Sequence, residues 1–164
     1  MKQEKKNDSL ESYLTFKLKD EEFGMHVSQV LNILEMLHIT KIPKLPEYLK
    51  GVIDLRGKAV PVIDTRLKTG LGNTDYDANT CIIVTEIQIE GEQILAGAIV
   101  DEVVAVIEIQ EKDILKPPEI GNQKLSSFIT GMIKKDDHFI MLMDVKKLFT
   151  LSEIESIKAA TDAA

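Results

Sequence analysis

The sequence predicts a mainly β protein, two small barrels from an internal duplication, with short helices and a C-terminal helix. Three observations carry this. The 164 residues include 20 Ile and 11 Val and no Trp, a β-branched excess that suits pleated, half-buried surfaces. Short apolar runs are punctuated throughout by Gly and Pro turns. The second half also repeats the first: Gly24 to Val30 aligns with Gly97 to Val103 at an offset of 73, and Gly51 to Asp64 aligns with Gly131 to Asp144 at an offset of 80.

Taken in order, residues 1–12 are polar and read as a disordered tail. "YLTFKL" (13–18) and "EFGMHV" (22–27) are strands. "QVLNILEML" reads as a short helix capped by Ser28, with Val30, Ile33, Leu34 and Leu37 on one face. "HITKIP" returns as a strand, and "LPEYLKG" is a one-turn helix with Pro46 near its start and Gly51 at its end. "GVIDLRGKAVPVID" is a hairpin turning at Arg56–Gly57. Pro61 cannot donate to a ladder, which predicts a protected strand edge. "TRLKTGLGNTD" closes the first half, about 13–78, as a helical turn and a loop, with strands free to cross between the two barrels.

The second half, about 79–150, opens with "TCIIVTEIQIE" and "EQILAGAIV", strands joined at Gly91, and "DEVVAVIEI" prolongs the apolar run. "KPPEIGNQ" is a loop. "TGMIKKDDHFIMLMD" is a hairpin turning at Asp136–Asp137, and "SEIESIKAA" is a helix within 151–164 with Ser152 and Glu155 as a capping box.

Composition narrows function. A net charge of −7 and pI near 5.0 argue against nucleic acid or an anionic membrane as partner. No apolar run reaches the roughly 18 residues of a membrane span, and the charged N-terminus has no signal-peptide core. A single cysteine, Cys81, excludes an internal disulfide and fits a reducing compartment. The expectation is a cytoplasmic protein without membrane insertion.

Catalytic constellations are absent from the pattern. His26, His38 and His138 show no metal-ligand spacing, and Cys81 reads as a small buried or interfacial hydrophobe. "GLGNTD" lacks the Lys and third Gly of a phosphate loop. Asp101 and Glu102 are neighbours whose side chains diverge on a strand. Asp64 and Asp144 stand where short helices start, as caps. The reading is a non-enzymatic binding module with no catalytic residue, cofactor or metal.

The stretch "IPKLPEYLKGVIDLRGKAVPVIDTR", with "DEEFG" and "AGAIVDEV", resembles the CheW family of bacterial chemotaxis coupling proteins. The likeness spans about residues 13–150. It implies two SH3-like β-barrels with a groove between them and a role as an adaptor, joining chemoreceptor cytoplasmic tips to the regulatory domain of the histidine kinase CheA. It implies receptor contacts at Lys50 and Arg56 beside the groove, with Val27 and Val30 as its apolar floor. It also implies kinase contacts around Thr80 and Cys81. One position departs: Asn32 stands where the family pattern has a Glu that pairs with the Arg matching Arg56. Glu35 or a receptor carboxylate is the expected replacement. The alternative reading is a tandem SH3-like interaction module, CheV-like or another scaffold, with different partners.

Overall fold

The computed structural model describes residues 9–72, 75–117, 119, 121 and 123–162, with side chains described to residue 156 and not at residue 123. Ten strands carry the fold: β1 (Leu10–Leu18), β2 (Glu21–His26), β3 (Val30–Glu35), β4 (Leu49–Leu55), β5 (Lys58–Asp64), β6 (Cys81–Ile89), β7 (Glu92–Val100), β8 (Glu102–Gln110), β9 (Ile129–Lys135) and β10 (His138–Met143). Helices α1 (Thr65–Lys68), α2 (Gln123–Ser126), α3 (Val145–Leu148) and α4 (Leu151–Asp162) are, apart from α4, single turns. The strands form two five-stranded sheets, β8-β1-β2-β10-β9 and β3-β6-β7-β5-β4. The fold is mainly β.

The duplication is visible strand by strand. Replacing each strand of the first sheet by its sequence repeat generates the second in the same order. Both sheets contain one parallel contact, Gly24↔Leu142 in one and Gly97↔Val62 in the other. The bulges repeat too: the ladder skips Leu31 in β3 and Val104 in β8, and skips Lys50 in β4 and Thr130 in β9. Each sheet has its own small core, Ile53, Val60 and Val62 in one and their equivalents Ile133, Ile140 and Leu142 in the other. A third, larger core joins the sheets, drawing Phe16, Phe23 and Met25 from one and Ile63, Ile83 and Ala98 from the other. Burying that many branched and aromatic side chains is the main driving force for assembling the sheets.

The two halves of the sequence do not coincide with the two sheets. Hairpin β1–β2 belongs with β8, β9 and β10, while β6–β7 completes the sheet of β3, β4 and β5. The division near residue 78 therefore marks the repeat and not a structural boundary. The halves exchange their first hairpins across two short crossings, a 3-10 turn at Val27–Gln29 and the bend at Asp101.

Several expectations are corrected. β1 starts at Leu10, which pairs with Gln110, so residues 10–12 belong to the sheet; residues 1–8 lie outside the described set. "QVLNILEML" is not a helix. His26, not Ser28, caps the 3-10 turn by accepting from the Ser28 N–H, and Val30–Glu35 then pairs with β6. An apolar run this short fits either period, and the free edge of β6 decides it. "HITKIP" contributes only the bridge Thr40↔Val52. "LPEYLKG" makes a turn closed by Leu49 N–H to the Pro46 carbonyl and then enters β4. Pro61 is buried within β5, which lies between β7 and β4, so it guards no outer edge. The parallel ladder with β7 begins one residue later, at Val62.

The capping box of α4 is Thr150 and Glu153: Thr150 Oγ1 accepts from the Glu153 N–H at 3.2 Å and Glu153 Oε1 from the Thr150 N–H at 3.0 Å. Ser152 and Glu155 have the same spacing, but Glu153 also reaches Lys68 and Tyr48, so docking selects the register. Asp64 and Asp144 cap α1 and α3 as anticipated. Of "GLGNTD", Asn73 and Thr74 lie outside the described residues, as do Pro118, Ile120 and Asn122 of the later Pro loop.

Candidate partner-binding surface

Val27 and Val30 sit where the chain crosses from one sheet to the other, half-buried against the shared core. Asn32 follows on the inward face of β3, opposite Val84. Glu35 lies on the outward face of the same strand, because side chains alternate across a strand. It therefore does not take the place of a carboxylate at position 32. Neither Asn32 nor Glu35 pairs with Arg56.

Arg56 occupies the tip of the β4–β5 hairpin. Leu55 pairs with Lys58, leaving a two-residue turn in which Arg56 has φ +53° and Gly57 φ +84°. Two successive positive φ values make the primed turn that matches strand twist. Asp54 Oδ1 accepts from the Gly57 N–H at 2.8 Å and locks it. An arginine in the left-handed region is held there at a cost of roughly 1–2 kcal/mol. Its side chain is exposed and bonds to no described residue. Lys50 is at the other end of β4, half-buried in the bulge between Leu49 and Gly51. Six residue steps of mostly extended chain separate the two cations by roughly 20 Å. The structure thus spreads Lys50 and Arg56 along one edge strand rather than gathering them at one point.

Thr80 and Cys81 lie at the entry of β6. Thr80 is buried, and its hydroxyl accepts from the Asp77 N–H at 2.9 Å, so it is committed to a turn. Cys81 is half-buried between Glu35 of β3 and Val100 of β7 and packs against the shared core. Burial pushes its thiol pKa up, so it behaves as a small hydrophobe and a poor nucleophile. Thr80 also lines a polar cavity of about 460 Å³ beside Lys19, Arg66 and Asp101. There Asp101 Oδ2 accepts from Arg66 Nη1 at 3.1 Å and from the Lys19 N–H at 2.7 Å. The sequence pattern reads Asp101 as a strand neighbour of Glu102. It sits instead at the bend before β8, and only the crossing of the sheets reveals its partners.

Two histidines are tied to carboxylates from distant segments. His26 Nε2 is 2.6 Å from Glu11 Oε2, and His138 Nε2 is 2.9 Å from Glu22 Oε1. A third polar cluster joins α4 to the body: Lys68 Nζ stands 2.8 Å from Glu153 Oε2 and 4.2 Å from the centre of the Tyr48 ring, and the Tyr48 hydroxyl donates to the same carboxylate. The signal for it was local, a Thr-x-x-Glu spacing, but its partners are about a hundred residues away. Among the described residues no group of three or more His, Cys, Asp or Glu is placed to hold a metal ion, and no helix is long and apolar enough to cross a membrane.

Residues 12–153 match the model of the CheW-like domain. The chain is 31% identical over 144 residues to chemotaxis protein CheW of Klebsiella aerogenes, covering 88% of this chain and 84% of the relative. It is 30% identical over 154 residues to chemotaxis protein CheW of Bacillus subtilis, covering 94% and 95%. Its fold superposes on the crystal structure of the scaffolding protein TtCheW from Thermoanaerobacter tengcongensis with a TM-score of 0.77 at 34% identity, covering 88% of this chain and 91% of that one. A family model matched nearly end to end, relatives at 30% identity or more and a shared fold lead to one conclusion: the chain belongs to the CheW-like domain family, whose members are scaffold proteins and not enzymes.

Proposed function

We propose that this chain is a chemotaxis adaptor that couples chemoreceptor cytoplasmic tips to the regulatory domain of the histidine kinase CheA and so controls the kinase. It works in the cytoplasm, recruited to receptor arrays at the inner face of the membrane. The observation that carries the reading is Arg56. Its side chain is exposed at the hairpin tip and bonds to no other described residue, which leaves it available to an incoming partner. Its planar guanidinium suits a carboxylate on an incoming helix.

The receptor surface takes residues from both edges of one sheet, the crossing into β3 at one and β4 with its hairpin tip at the other. Val27 and Val30 supply apolar contact at the crossing, Asn32 a neutral hydrogen-bonding group, and Lys50 and Arg56 cations at the two ends. Helix-in-groove recognition uses this combination of apolar anchors and polar rim. The kinase contact is assigned to the start of β6, with Cys81 as a half-buried apolar contact and Thr80 holding the preceding turn. Both contacts must exchange within an array, so micromolar affinities, about −8 kcal/mol, are expected.

Calorimetric titration of the CheA regulatory domain, and then of a receptor cytoplasmic fragment, into wild type and Arg56→Ala tests this. The expected result is binding of both by wild type and selective loss of the receptor by the variant. Binding of neither would move the chain to the other reading, a tandem interaction module with different partners.

A further inference from the structure

Lys50 is the residue of the proposed receptor surface whose direction is least free. It is the extra residue of a bulge, with the ladder passing from Leu49↔Ile63 to Gly51↔Val62 around it, and a bulge re-aims the side chain it carries. Each side of that bulge is pinned. Downstream, Gly51 takes φ +141° and lies against the Thr40 carbonyl. Upstream, the Tyr48 carbonyl accepts from the Asp64 N–H at 2.7 Å, which starts the ladder.

Tyr48 is in turn held from outside the sheet. Its hydroxyl donates to Glu153 and its ring carries the Lys68 ammonium, which is itself bonded to Glu153. The Lys68 and Glu153 side chains are only 10% and 11% exposed. A desolvated ion pair gives little net stability but fixes geometry well. Glu153 also closes the cap of α4, and the next residue, Ile154, is buried in the shared core. One carboxylate therefore folds the start of the helix, docks it and grips the residue at the head of the bulge.

We propose that Glu153 is a positioning residue for receptor binding: with α4 docked through it, Tyr48 is fixed and the bulge aims Lys50 at the partner. This rests on the assignment of Lys50 to the receptor surface. The experiment is calorimetric titration of a chemoreceptor cytoplasmic fragment into the full chain, as wild type, Lys50→Ala, Glu153→Gln and the double variant. The CheA regulatory domain is titrated in parallel. Glu153→Gln should weaken the receptor about three- to tenfold, a span typical of coupling through a packed network, and leave the kinase affinity unchanged. In the Lys50→Ala background the same substitution should have no further effect. The Gly51 amide resonance should move in Glu153→Gln. Tyr48→Phe, which keeps the ring and removes only the hydroxyl, should reproduce both effects if the glutamine variant folds poorly. An unchanged receptor affinity in Glu153→Gln and Tyr48→Phe alongside a weakened Lys50→Ala overturns the positioning role and leaves the receptor surface standing. Full additivity, or equal loss of kinase binding, overturns it as well. An unaffected Lys50→Ala removes the surface assignment itself, and the positioning role with it.

Discussion

Gly51 lies directly against the carbonyl of Thr40: a Cβ at position 51 would stand 2.0 Å from that oxygen. The same contact recurs in the other sheet, where Gly131 faces Leu115, but there the nearest atoms are the Ile114 Cγ2 methyl at 2.8 Å and the Leu115 oxygen at 3.1 Å. Gly51 also needs its positive φ, and Gly131 does not. Gly51→Ala should therefore cost about 4 kcal/mol or more, the exceptional range for a single substitution. Gly131→Ala should cost about 1–3 kcal/mol as Ile114 gives way. Urea denaturation of the two variants checks the ranking, and equal losses would mean the Thr40 carbonyl can retreat.

Arg56 gives a variant that gains stability while losing function. Arg56→Gly removes the left-handed strain but loosens the unfolded chain, so stability should rise by up to about 1 kcal/mol. Arg56→Ala keeps the strain and should be neutral within about 0.5 kcal/mol. Both should lose receptor affinity to a similar degree. Thermal melts beside receptor titration separate the two effects. A glycine variant that binds normally would show the side chain to be idle.

Asp64 and Asp144 are repeats of one cap with unequal duties. Among the described residues the Asp144 carboxylate accepts from the Lys146 N–H, whereas the Asp64 carboxylate accepts from both the Leu67 N–H and the Tyr76 hydroxyl at 2.7 Å. Asp144→Ala should cost about 1 kcal/mol as a lost cap. Asp64→Ala should cost about 2 kcal/mol or more, because the Tyr76 hydroxyl also loses its acceptor. Denaturation midpoints of the pair measure the difference.

His138 makes the stability pH-dependent. Its hydrogen bonds to Glu22 and then Asp137 hold the imidazole pKa above its ordinary 6.5. A group raised on folding stabilises fully below its unfolded value, and that contribution fades as pH rises through the higher folded one. The protein should thus be more stable near pH 6 than near pH 8, and His138→Gln should flatten that slope. The His138 ring resonances should titrate with a midpoint above 6.5. A midpoint at or below 6.5 would refute the assignment.

Much of the fold was legible because its signals are local. The Gly24/Gly97 and Gly51/Gly131 alignments report turns and close approaches that any copy of the unit must satisfy, and Asp64 and Asp144 report caps within three residues of themselves. What escaped is what depends on partners far along the chain. Val30–Glu35 has a run too short to distinguish the helical from the extended period, and it becomes a strand because β6 offers an edge. Pro61 fits an exposed strand only until β7 is known to lie beyond it. At the proposed receptor surface, Arg56 entered through the family resemblance. The wide separation of Lys50 from it, the outward face of Glu35 and the Lys68–Glu153–Tyr48 cluster all needed coordinates.

The exchanged hairpins bear on how the molecule fails. A protease nick in the exposed stretch 75–79, between the sequence halves, would leave two fragments, each supplying strands to both sheets. Neither could depart without tearing rows of hydrogen bonds out of both. The nicked protein should migrate as one species and melt in a single transition. By the same logic, deleting one sequence half would leave neither sheet complete.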